Sequence, residues 1–118
     1  MGKTVFKIEA NPTFPATVKI PRPGGDIAEL QLIFKHNHTD DLPSLIKKGT
    51  KTSGSDSQAD FLIADIVAGW PEGAVANADG SLEFSKENLT LILNGNPGAG
   101  GAIFDQYLAA LGGARLGN

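Results

Sequence analysis

The chain of 118 residues contains no cysteine, which removes both a disulfide framework and a thiolate metal site. It has no apolar run long enough for a signal peptide or a membrane span. Phe6 stands where the N-myristoylation pattern needs Ser or Thr. A soluble cytosolic protein is the expectation from these absences. No basic stripe exists and no aromatic ladder is interleaved with arginine, so nucleic acid is not an expected partner. Internal repeats are missing as well. The net charge of −3 is unevenly placed, with seven Lys/Arg against five Asp/Glu in residues 1–50 and three against eight in residues 51–118. That asymmetry mildly favours head-to-tail contacts between copies, and a solvated surface without a role explains it equally well.

Reactive groupings are just as thin. Gly95-Asn96-Pro97-Gly98-Ala99-Gly100-Gly101 has the glycines of a phosphate loop, but Ala102-Ile103 follows where Lys and Ser/Thr are required and no strand precedes. It reads as a flexible link between two helices. His36 and His38 would project to one face of a strand, a ligand-like spacing with Asp40 or Asp41 as a third group. No distant histidine completes a site, and surface polarity accounts for the pair better. No Ser/His/Asp constellation can be ordered, and Asp40 and Asp41 suit a helix N-terminus better than a catalytic pair. The expectation is a protein without catalytic residues, cofactor or bound metal.

What the chain does have is hydrophobic periodicity. In Ser57–Trp70 the residues Ala59, Leu62, Ile63, Ile66, Val67 and Trp70 step along one helical stripe. Ser57 is placed to cap this central helix, Gly69 to stop it, and Trp70 to lie at its exposed end. Before it, three strands are predicted. Thr4–Glu9 alternates; Phe14, Ala16, Val18 and Ile20 share a face; so do Leu30, Leu32 and Phe34. Pro21–Asp26 supplies a hairpin loop. A short helix with Leu42, Leu45 and Ile46 inward and Gly49 as its stop is expected next, then a polar surface loop over residues 50–56. Residues 71–84 read as a turn-rich connector tacked down by Val75, Leu82 and Phe84. Ser85 caps a further helix closed by Asn94-Gly95. A last helix opens at Asn96-Pro97 and carries Ile103, Phe104, Tyr107, Leu108 and Leu111. The predicted architecture is α+β: one domain over 1–118, with a small antiparallel meander in 1–38, three to four helices in 39–113 and a tail in 114–118.

The order of certain segments carries a resemblance. Phe6-Lys7-Ile8, Val18-Lys19-Ile20-Pro21, Phe34-Lys35-His36 and Ile66-Val67-Ala68-Gly69-Trp70 come first. Leu82-Glu83-Phe84-Ser85-Lys86-Glu87-Asn88-Leu89 and Ile103–Leu111 follow, with Ala114-Arg115 near the final Asn118. In this succession the chain resembles the tail assembly chaperones of long, flexible-tailed bacteriophages over nearly its whole length. It departs at the Gly-rich run 98–101, where relatives tend to have a more helical start.

The resemblance implies a non-catalytic protein of the host bacterial cytoplasm. It would coat the tape-measure protein, keep it soluble until tail tube subunits polymerise around it, and be absent from the mature virion. It also implies a homo-oligomer, with the tail tube protein as a second partner and with neither nucleic acid nor membrane involved. A structural tail protein, such as a tube or terminator subunit, is the alternative. The expected partner-binding residues are Trp70, Phe104, Tyr107, Leu108 and Leu111, since a holdase must offer apolar contact area.

Overall fold

A computed structural model describes residues 12–111. The sequence-predicted strand over Thr4–Glu9 and the tail over 114–118 lie outside the described residues. Strands β1 (Thr13–Pro21) and β2 (Ile27–Lys35) form an antiparallel hairpin. Its loop is closed by Arg22 N–H donating to Asp26 O at 2.8 Å, with Gly24 and Gly25 at φ +95° and +97°. Those angles favour glycine over any residue with a Cβ. Phe14, Ala16, Val18 and Ile20 of β1 face the core with Leu30, Leu32 and Phe34 of β2, as their alternation predicts. The phase of the ladder is fixed at both ends. His36 N–H donates to Pro12 O at 3.1 Å, and Arg22 N–H donates to Asp26 O. The even-numbered residues of each strand therefore bond across the hairpin, and the odd-numbered ones aim their backbone groups outward.

Helix α1 (Leu42–Lys51) follows a 3₁₀ turn, Thr39–Asp41. It departs from expectation in two ways. Ile46 is exposed rather than inward, and Gly49 lies within the helix instead of ending it. Gly49 is there for closeness, because a Cβ would meet the Phe61 and Phe104 rings at 3.3 Å.

The central segment differs most. Helix α2 runs only from Ser55 to Phe61, without a side-chain cap from Ser57, and begins inside the stretch expected to be loop. A π-helical turn, Leu62–Ile66, succeeds it, and Val67–Gly69 becomes β3. β3 pairs antiparallel with β2 through Ile33–Gly69 and Phe34–Val67, with a register shift between them. The described sheet is thus three-stranded in the order β1-β2-β3, followed and covered by helices, an α+β fold.

The predicted stripe is nonetheless the core. Ala59, Leu62, Ile66, Val67 and Trp70 are all buried, and Ile63 is partly buried against them. What ends the helix early is competition for its terminal carbonyls, which have no partner within a helix. Lys35 Nζ donates to Ile63 O at 2.7 Å, and Asn37 Nδ2 donates to Asp65 O at 2.7 Å. Val67 is then free to join the sheet.

The connector forms a two-stranded ribbon, β4 (Ala76–Asn77) and β5 (Gly80–Ser81). Helix α3 (Lys86–Gly95) is capped as predicted, Asn88 N–H donating to Ser85 Oγ at 3.1 Å. Helix α4 (Ala99–Leu111) packs on β1 and begins two residues after Pro97. The glycines at 100 and 101, expected to be a flexible link, are its first turn. Gly100 fits because a Cβ there would stand 2.7 Å from Gln58 Oε1.

Candidate partner-binding surface

The last helix presents two faces. Ala99, Ile103 and Tyr107 point into the core and are fully buried. Phe104, Leu108 and Leu111, spaced four and three residues apart on the neighbouring face, are half-buried and pack against the edge of that core. Between α1, α2 and α4 lies a pocket of about 100 Å³ lined by Gly49, Thr52, Gln58, Phe61, Gly100 and Phe104. The rings of Phe61 and Phe104 meet edge to face there, 5.7 Å apart. Gly49 and Gly100 hold the walls close, and Gln58 and Thr52 add two polar side chains to an otherwise apolar opening. Such a pocket suits an apolar side chain offered by another protein.

The five sequence-predicted partner residues are divided by the structure. Phe104, Leu108 and Leu111 share the open face of α4. Tyr107 is completely buried, its hydroxyl accepting from Asn37 Nδ2 at 2.6 Å and its ring lying against Phe34 and Phe14. Burial pushes the Tyr107 phenol above its ordinary pKa of 10.0; the Asn37 hydrogen bond opposes this and the Asp65 charge adds to it. Trp70, expected at an exposed helix end, is instead buried, with Nε1 donating to Leu82 O at 2.9 Å and its ring edge-on to Phe84 at 4.9 Å. Because β3 replaces the end of the helix, the indole turns inward.

Sequence reasoning missed Gln58, Phe61 and the close-packed glycines. Phe61 sits one position off the stripe, and only its being a large aromatic in a short helix hints at a second face. Asn37 and Lys35 carried no signal, since their partners lie 28 residues away.

Charges on this side are superficial. Lys86 bridges Asp60 at 3.0 Å and Asp56 at 3.1 Å, and these hydrogen bonds raise its pKa above 10.5. Lys48 meets Asp65 at 3.1 Å. Exposed pairs of this kind contribute little stability. The His36 and His38 rings are 6.1 Å apart, edge to face and exposed. Among the described residues no three His, Asp or Glu side chains are grouped to hold a metal ion, and no helix is long and apolar enough to cross a membrane.

The fold and this surface define a small α+β protein whose main described feature is apolar contact area beside a shallow aromatic pocket. The family model of the phage tail assembly chaperones matches residues 1–118, and the chain belongs to that family. Membership brings protein partners in tail assembly with it. No curated protein and no solved structure matches the chain.

Proposed function

We propose that this protein binds the tape-measure protein in the host bacterial cytoplasm and keeps it soluble during tail morphogenesis, without catalysis. It acts as a homo-oligomer, hands its client to the tail tube protein, and does not remain in the virion. The client is met by Phe104, Leu108 and Leu111 with the Phe61–Phe104 pocket beside them, while the buried Tyr107 anchors α4 to the sheet from within. The observation that carries this reading is the half-buried apolar face of α4, at the spacing an amphipathic client helix would use.

Co-expression with the tape-measure protein tests it. The wild-type chain should hold the client in the soluble fraction and co-purify with it. Leu108→Asp and Phe104→Ala, each checked for folding by circular dichroism, should lose the client. Folded variants that retain it with unchanged stoichiometry would contradict the assignment. Abundance of the chain in purified virions would favour a tube or terminator subunit instead.

A further inference from the structure

Among the described residues the sheet leaves one stretch of backbone without a partner. Ile27, Glu29 and Gln31 aim their N–H and C=O groups away from β1, as the ladder phase requires. On that side β3 reaches only Ile33 and Phe34. Among the described residues nothing hydrogen-bonds to the outward groups at 27, 29 and 31. The side chains at these positions are exposed, Ile27 at 65%. Proline and bulges, the usual protections of a strand edge, are missing over Ile27–Gln31.

We propose that this open edge of β2 accepts residues Val5–Glu9 of a second copy of the chain as an added antiparallel strand. The sequence Val-Phe-Lys-Ile-Glu complements Ile-Ala-Glu-Leu-Gln in one register. With Lys7 opposite Glu29, Phe6 and Ile8 fall on the core side beside Leu30 and Ala28. Lys7 then shares the outer face with Glu29, which already stands opposite Lys19. A two-fold pairing of β2 with itself centred on Glu29 would instead set like charges face to face.

In this register reach favours a second copy as the donor. Pro12 is fixed beside His36, and Gln31, the near end of the open edge, lies about 17 Å away along the sheet. Only Ala10 and Asn11 separate Glu9 from Pro12, and three steps of extended chain span about 10 Å. In the antiparallel register Glu9 sits opposite Ile27, farther still. A neighbouring copy has no such constraint, and its arm can cross between subunits.

Light scattering on the purified chain, without any client, tests this separately from the tape-measure reading. The full chain should be a multimer that dissociates on dilution. A variant lacking residues 1–11 and the variant Glu29→Pro should be monomers that keep the helical circular-dichroism signal and a cooperative melt, because proline at 29 removes an outward N–H and no ladder bond. Lys7→Glu should weaken association roughly fivefold. A peptide of residues 1–11 should bind the shortened chain and not Glu29→Pro. A full chain that is monomeric at every concentration, or a Glu29→Pro protein with the full chain's mass, would overturn the proposal, as would a peptide that fails to bind the shortened chain.

Discussion

The outer edge of β1 and the stretch of β2 that β3 does not reach are built to opposite specifications. Along the outer edge of β1 the outward positions are Thr13, Pro15, Thr17, Lys19 and Pro21, so two of five lack a donor. Such an edge resists strand addition. β2 offers Ile27, Glu29 and Gln31, all with intact donors. The far end of β2 is different again, closed by β3 and tied through Lys35 and Asn37 to the carbonyls of the π-helical turn. Among the described residues one strand is therefore anchored at its end and unpaired along its start. The lesson is that proline placement, read against the ladder phase, separates an edge meant to stay bare from one left available.

Proline substitution breaks this contrast most sharply. Leu32→Pro removes a ladder N–H and a buried leucine, at a cost of about 2–5 kcal/mol for the side chain and about 1–3 kcal/mol for the orphaned carbonyl. It should leave the chain unfolded in a thermal melt. Gln31→Pro, one residue away but outward, should melt close to wild type.

The anchored end is probed by Asn37→Ala, which frees the Asp65 carbonyl and the Tyr107 hydroxyl together. It should cost about 1–3 kcal/mol in urea denaturation. Tyr107→Phe, losing one hydrogen bond, should cost about 0.5–1.5 kcal/mol at neutral pH. The same residue sets an alkaline limit. Its folded pKa is above 10.0, so the fold favours the neutral phenol. That stabilisation is complete below the unfolded value and disappears as pH rises through the folded one. Wild-type stability should fall above about pH 10, and Tyr107→Phe should flatten the decline. The smallest effect is expected at Thr90, whose buried hydroxyl has no partner among the described residues. Thr90→Val should be neutral or slightly stabilising.

Much of this was legible beforehand. Alternation placed β1 and β2, the Ser85 cap marked the start of α3, and the stripe from Ala59 to Trp70 named core residues correctly. It could not name their secondary structure. Spacing of three and four fits an α-helix, yet here it serves a helical turn, a π-turn and a strand in succession. The deciding groups, Lys35 and Asn37, act from a distant strand end. The glycines at 49, 100 and 101 misled for a related reason: they look like breaks, and two of them, Gly49 and Gly100, are points of close approach inside helices. At the candidate surface, periodicity selected α4 but could not tell Tyr107, which faces β1, from Phe104 and Leu108, which do not.

Amide hydrogen exchange, followed residue by residue at a concentration where the full chain self-associates, reads the contrast between edges directly. The amides of Ile27, Glu29 and Gln31 should be protected in the full chain and exchange rapidly once residues 1–11 are removed, while those of Thr17 and Lys19 exchange rapidly in both. Fast exchange at Glu29 in the full chain, or protection that survives the deletion, would contradict the account.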